Sequence, residues 1–264
     1  MYDLGEYKMI ANYHTHTWRC NHATGREEDY VLNAIDRNFE ILGFSDHTPY
    51  IFPKGYYSNF RMKPEQFKDY CDTVRLLQKK YADKIKMHLG VELEYYPTFF
   101  PNLLPELQDA GIEYMILGQH FIGNEINEHY SGNATGDPEI LKRYCEQTMD
   151  AMQTGVFTYF AHPDLIHFKG DEKLYRQQMR RICREAKSCR IPLELNMLGK
   201  WSGRHYPNPV FWEVAAEEGC DVILGCDAHA PEHMLKTETE QQLTDLANRL
   251  GLNLLEKVSL RNIK

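Results

Sequence analysis

The sequence predicts an α/β protein in which parallel strands form a distorted, seven-stranded (β/α)7 barrel of the TIM-barrel-like type. Short apolar runs rich in β-forming residues alternate about seven times with longer segments of helical periodicity. Such alternation is typical of a parallel sheet covered by helices. The chain has no glycine-rich dinucleotide or P-loop fingerprint, which favours a barrel over an open sheet.

The predicted strands are short, as expected for buried parallel strands. They are Met9–Tyr13, Ile41–Ser45, Lys86–Leu93, Tyr114–Gly118, Phe157–Phe160, Pro192–Asn196 and Asp221–Gly225.

The predicted helices lie between these runs and carry ordinary start and stop signals. Pro64, Pro138 and Pro209 fall where the first helical turn tolerates proline. Gly111, Gly155 and Gly219 follow helical patterns as C-terminal caps do. The helices are Glu27–Asn38, Pro64–Tyr81, Asn102–Ala110, Pro138–Thr154, Glu172–Ser188, Pro209–Glu218 and Thr237–Leu250.

Length and composition indicate one soluble, cytoplasmic domain spanning residues 1–264. No apolar run approaches the roughly 18 residues of a membrane helix, and the first residues lack the apolar core of a signal peptide. Seven cysteines occur singly, without a C-x-x-C motif, which favours reduced thiols. The net charge of -8 disfavours nucleic acid as a partner. The oligomeric state stays open.

Possible metal ligands follow almost every predicted strand. Because the carboxyl ends of barrel strands form one face, and that face holds the active site, these side chains are expected to meet. Residues two apart on a strand share a face, which suits the paired ligands that follow the first and seventh strands. The candidates are His14, His16, His22, His47, Glu92, His120, His162, Asp227 and His229.

Each candidate also has an ordinary interpretation. Taken singly, His47, His120 and His162 could be hydrogen-bonded loop or core histidines, and Asp227 could cap a helix. A carboxylate such as Glu92 in a buried strand is expensive unless it is paired or metal-bound. The joint pattern therefore favours a metal centre. Glu94, on the same strand face as Glu92, is expected behind the ligands.

Six motifs resemble the PHP (polymerase and histidinol phosphatase) superfamily across nearly the whole chain. They are H-T-H-T…H at 14–22, G-F-S-D-H at 43–47, G-V-E-L-E at 90–94, L-G-Q-H-F at 117–121, A-H-P-D at 161–164 and G-C-D-A-H at 225–229. The loops at 26–31, 49–62 and 203–212 are similar to those of monofunctional histidinol-phosphate phosphatases.

The resemblance implies a site with three divalent metal ions, whether Zn, Mn or Fe, because imidazole with carboxylate suits all three. By this resemblance His14, His16, Glu92 and Asp227 hold the first ion. Glu92 bridges to a second, completed by His120 and His162. The third set is His22, His47 and His229.

The implied activity is hydrolysis of a small phosphate ester, L-histidinol phosphate, to L-histidinol and phosphate in histidine biosynthesis. A hydroxide that bridges two metals would attack phosphorus. Arg204 is the main candidate for binding phosphate, because a guanidinium matches phosphate geometry. His167 and His205 are expected near the substrate. Asp46 would orient a ligand or shuttle the proton to the leaving group, with His205 and Asp164 as rival acids.

Three alternatives stay open at this point. One is a PHP phosphoesterase acting on another small phosphate monoester or a nucleotide. A second is a metal-binding or scaffold protein without turnover. A third is a metal-dependent amidohydrolase, although His120 stands where a carboxylated lysine would be expected.

Overall fold

The computed structural model describes residues 7–126 and 129–263. Residues 1–6, which belong to the segment predicted not to be a signal peptide, lie outside the described residues. Across the described residues eight parallel strands form one sheet in chain order. They are β1 (Ala11–Asn12), β2 (Ile41–Phe44), β3 (Lys86–Leu93), β4 (Tyr114–Leu117), β5 (Phe157–Phe160), β6 (Leu193–Asn196), β7 (Asp221–Gly225) and β8 (Asn253–Leu255).

The sheet curls so that the residues after β1 meet the residues after β7. The His16 amide donates to the Ala228 carbonyl at 2.9 Å, and the Ala228 amide donates to the His14 carbonyl at 3.1 Å. The other end of β7 pairs instead with β8, in the register Asp221 to Asn253. The distorted barrel is therefore confirmed, with an eighth strand that the sequence did not predict.

The helices lie close to their predicted positions. Gly111, Gly155 and Gly219 all have positive φ, as expected of residues that end helices. A short helix, α6, directly after β6 was not predicted. The helices are α1 (Glu27–Asp36), α2 (Pro64–Lys80), α3 (Phe100–Asp109), α4 (Pro138–Gln153), α5 (Glu172–Cys189), α6 (Met197–Trp201), α7 (Pro209–Glu218) and α8 (Thr237–Leu250). In the described part of the chain no helix is long and apolar enough to cross a membrane.

Two apolar layers support the sheet. The larger layer lies between strands and helices and includes Trp212 of α7 and Phe157 of β5. The smaller cluster contains Tyr13, Tyr114 and Tyr159. The Tyr114 hydroxyl donates to the Tyr13 carbonyl at 2.7 Å, so a buried polar group is satisfied inside this cluster. The polar strand ends described below lie against this apolar base.

Two glycines make room for two buried carboxylates. Glu92 of β3 pairs in register with Ile116 of β4, and a Cβ on Gly118, two residues further, would lie 1.9 Å from Glu92 Oε1. In β6 and β7 the same spacing recurs, because a Cβ on Gly225 would lie 1.8 Å from Glu194 Oε1. Each carboxylate therefore needs a glycine on the next strand.

Replacing Gly118 with alanine should destabilise the protein by about 1–3 kcal/mol, because the methyl group overlaps a carboxylate that has no free space. Gly136→Ala is the matched control, since a Cβ there meets nothing within 4 Å and its φ is not positive. Urea denaturation of metal-free protein measures both free energies of unfolding. Equal stability of the two variants would contradict the tight seating of Glu92.

Candidate metal centre

The structure brings the nine predicted ligands together at the carboxyl ends of the strands. Eight of them line one cleft with a cavity volume of about 260 Å³. The ninth, His14, is fully buried directly behind Glu92 and Asp227. The cleft wall is completed by Phe60, Phe121, Tyr130, Leu198, Arg204 and Tyr206.

Glu92 lies at the middle of the cluster. Its carboxylate is fully buried and has imidazole nitrogens on several sides. Oε1 lies 2.9 Å from His162 Nε2 and 3.7 Å from His120 Nε2. Oε2 lies 3.0 Å from His47 Nδ1 and 3.5 Å from His16 Nε2. Such a carboxylate can contact more than one ion, as the bridging assignment requires.

Asp227 faces the first two histidines from the opposite strand end. Its Oδ1 lies 3.1 Å from His16 Nε2 and 3.4 Å from His14 Nε2. These distances join the H-x-H pair to both carboxylates, so His14, His16, Glu92 and Asp227 form one continuous group of donors.

A second layer of acceptors orients the imidazoles. His14 Nδ1 lies 2.8 Å from Glu194 Oε1, and His120 Nδ1 lies 2.7 Å from Glu94 Oε1. When Nδ1 carries the proton toward a carboxylate, the Nε2 lone pair of a neutral imidazole points at the cleft. Backbone carbonyls hold His22 and His229 through Nδ1 at 2.8 Å and 3.0 Å respectively.

The electrostatics of the metal-free cluster are strained. Burial lowers the pKa of His14, but Glu194, Asp227 and Glu92 outweigh it and raise that pKa to about 10. Burial, together with the charge of His16, holds the pKa of His229 well below its usual range. The surrounding imidazoles hold the pKa of Glu92 well below normal despite its burial. Neighbouring histidines thus have opposite charge preferences within a few ångströms.

The unpaired atoms fit a metal. His14 Nε2, His16 Nε2, His47 Nδ1 and Glu92 Oε2 are buried without a hydrogen-bond partner, a costly state unless a ligand satisfies them. Mixed imidazole and carboxylate donors suit divalent transition metals. Donor sets within 4.8 Å of one another include His14 with His16 and Glu92, and His16 with His47 and His229. The division into three sites stays a prediction, because these sets share His16.

Cys20 is nearer to the cluster than the sequence suggested. It forms a compact group with His22 and His229, although it was interpreted as a packing residue. Its side chain is buried, and burial raises the pKa of its thiol, which favours the neutral form over a thiolate ligand.

Of the three residues predicted to bind substrate, only Arg204 lies in the described cleft lining. Arg204 lines the cleft, and its Nη1 donates to the Tyr206 hydroxyl at 2.6 Å. His167 and His205 stack on each other with ring centroids 4.0 Å apart and are absent from the described cleft lining. His205 Nε2 is 2.7 Å from the Leu165 carbonyl. Direct substrate contact by these two histidines stays a prediction that this geometry does not support.

The two carboxylates among the three candidate acids, Asp46 and Asp164, are absent from the described cleft lining. Asp46 is fully buried, with Oδ1 at 3.4 Å from His16 Nδ1 and Oδ2 accepting from the Thr17 hydroxyl, which fits the orienting role among its two predicted roles. Asp164 accepts from the Asn208 amide at 2.6 Å and from Trp212 Nε1 at 3.0 Å. Asp164 therefore anchors the segment that carries Arg204.

Sequence reasoning missed two supporting groups. Glu194 touches His14 but was not singled out, although its place in a buried strand is the same signal that marked Glu92. Arg61 is buried, and its Nη2 donates to Glu94 Oε2 at 2.9 Å and also to Glu125. This ion pair connects the loop at 49–62 to His120 through Glu94, and the loop sequence alone does not show it.

The barrel and its ring of imidazoles and carboxylates define a metal-binding α/β barrel protein. The model of the PHP domain family matches residues 12–197, and the chain belongs to that family. This membership sets aside the amidohydrolase alternative.

Two relatives agree with the family, and one solved structure has a similar fold. A Deinococcus radiodurans protein named "Probable histidinol-phosphatase" is 27% identical over 234 residues, which cover 84% of this chain and 87% of the relative. A Schizosaccharomyces pombe protein of the same name is 25% identical and covers 94% and 90%. The crystal structure of histidinol phosphate phosphatase from Lactococcus lactis, complexed with zinc, L-histidinol and phosphate, has a TM-score of 0.72 at 20% identity, covering 96% of this chain and all of that one.

Metal binding should release protons from the metal-free protein. The pKa of His14 is about 10, and the pKa values of His16 and His120 are raised as well. His14 is therefore charged at pH 7 and must lose a proton to coordinate. The carboxylates, whose pKa values are lowered, have none to lose. Affinity should therefore rise with pH up to the pKa of His14, at about 10.

Calorimetric titration of zinc in two buffers with different ionisation enthalpies measures this release. Heats that depend on the buffer are expected, with roughly one or more protons released per chain. Identical heats in both buffers, with binding present, would contradict the charge assignment.

Proposed function

We propose that this protein is a divalent-metal-dependent phosphomonoesterase that hydrolyses L-histidinol phosphate to L-histidinol and phosphate. The observation that carries the proposal is the cluster of nine donors, eight of which line one cleft beside the guanidinium of Arg204 while His14 lies directly behind Glu92 and Asp227. The two relatives named as histidinol-phosphatases cover most of the chain and support the choice of substrate.

The proposed centre holds three ions in the sets given above, with zinc as the first candidate because the Lactococcus lactis structure contains it. When bound, divalent ions in such a set lower the pKa of a water molecule and neutralise charge on a phosphate ester. We further propose one catalytic domain over residues 1–264, working in the cytoplasm, in keeping with seven unpaired cysteines.

The chain's own residues have distinct roles. Arg204 is exposed at the cleft and binds non-bridging phosphate oxygens through its guanidinium. Tyr206, which is buried, accepts a hydrogen bond from Arg204 and keeps that side chain against the cleft. Asp46 holds the His16 ring and acts as a positioning residue. No side-chain nucleophile is needed, so no phosphoenzyme is expected.

The cleft suits a small ester better than a polynucleotide. Its volume of about 260 Å³ is slightly below the range of roughly 300–1,000 Å³ of ordinary ligand pockets. Phe60 and Phe121 stack with centroids 5.6 Å apart and form one wall with Tyr130, a surface that accommodates a planar ring. The net charge of -8 also opposes a long phosphate backbone.

The proposal is tested by phosphate release from L-histidinol phosphate, AMP and a short oligonucleotide. The highest kcat/KM is expected on L-histidinol phosphate, with loss of activity in chelator and recovery on adding zinc or manganese. Higher kcat/KM on AMP would favour the alternative phosphoesterase. Full activity after complete metal removal would refute metal dependence, and a metal-replete protein inert on all three would favour the scaffold alternative.

Arg204→Met should lower kcat/KM about 10²–10³-fold, because a preorganised charged donor to the transferring group is lost. Lys200→Met is the matched control, since Lys200 is exposed and outside the cleft lining, and it should retain activity. Steady-state kinetics with metal-loaded proteins measure both. An unchanged kcat/KM in Arg204→Met would contradict the proposed role of Arg204 in phosphate binding.

A further inference from the structure

We infer that Glu194 and Asn196 of β6 are positioning residues that hold three metal ligands and thereby set the metal affinity of the centre. No predicted ligand lies on β6. This inference rests on the proposed function in one respect only: the cluster must bind divalent ions.

Glu194 touches two of the three ligands directly. Its Oε1 lies 2.8 Å from His14 Nδ1, and its Oε2 accepts from the His162 backbone amide at 3.0 Å. His14 and His162 come from the ends of β1 and β5. One carboxylate therefore fixes the ring of one ligand and the backbone of another.

Asn196 extends the contact to the third ligand. Its Nδ2 lies 2.9 Å from Glu194 Oε2 and 3.1 Å from Asp227 Oδ2. Its Oδ1 accepts from the Gly199 amide at 2.8 Å and so caps α6. The amide is thus fixed in orientation, with its donor facing the two carboxylates.

Two of the three ligands held in this way have unfavourable backbones. His162 has φ of +33° and Asp227 has φ of +48°, in the left-handed region that side chains other than glycine rarely adopt. Such conformations persist only where surrounding structure holds them. The β6 pair supplies a bond to the His162 amide and another to the Asp227 carboxylate.

The Glu194 side chain is not placed to contact the substrate. It is fully buried, it is absent from the described cleft lining, and both of its oxygens are engaged. Gly225 of β7 leaves it just enough space. It therefore acts through His14, His162 and Asp227 rather than on the substrate.

The test replaces Glu194 with glutamine. In the structure Glu194 accepts hydrogen bonds from His14, His162 and Asn196. A glutamine would place its NH2 group, which can only donate, against one of these three donors. Loss of such a partner typically weakens metal binding about 10–100-fold. Zinc and manganese dissociation constants are measured on stripped protein by competition with a chromophoric chelator, with circular dichroism as the check of folding.

Glu113→Gln is the matched control, because Glu113 forms the same kind of pair with His88, at 2.6 Å, away from the cleft. We expect weaker binding only in Glu194→Gln, and only for ions that contact His14, His162 or Asp227, with the remaining site unchanged. Equal weakening of every site would indicate a general structural defect and would overturn the inference, as would unchanged affinity.

Asn196→Ser decides the matter if Glu194→Gln fails to fold. Serine keeps the cap on α6 but is too short to reach Glu194 and Asp227, so the same sites should weaken; unchanged affinity would overturn the inference. The readout is binding rather than turnover. A protein that binds metal but does not hydrolyse L-histidinol phosphate would refute the proposed function and leave this inference standing.

Discussion

The burial of the Glu92 carboxylate is the constraint on which the rest of the site depends. A charged group without solvent is stable only when opposite charge and hydrogen-bond donors surround it. Here five imidazoles from four different strand ends approach its two oxygens. The closure of the barrel between the ends of β1 and β7 brings His14 and His16 to Asp227 and thereby completes the enclosure.

The barrel satisfies this constraint by layering. An apolar cluster with three tyrosines, Tyr13, Tyr114 and Tyr159, lies at the base, the donors lie above it, and a ring of supporting carboxylates stands behind them. Two strand pairs use the same arrangement, a glutamate facing a glycine on the next strand. In one pair the glutamate, Glu92, enters the centre. In the other pair, Glu194 contacts His14 and His162 from the side away from the cleft. We therefore assign metal binding to Glu92 and the positioning of ligands to Glu194.

Much of the fold, and the meeting of the candidate ligands in one cluster, could be predicted from the sequence, because parallel strands place their carboxyl ends together and these residues follow those ends. Glu194 was missed because its strand carries no histidine. β8 and α6 are only three and five residues long, too short for a periodic signal. The places of His167 and His205 depend on loop paths, and their mutual stacking could not be read from spacing.

Anomalous X-ray diffraction from crystals grown with zinc would test the proposed metal centre, because it locates each ion against named side chains. Three peaks are expected, one beside each donor set, with Glu92 contacting two of the ions. A cluster without any peak, or zinc bound only at surface residues outside the cleft, would rule out the proposed centre.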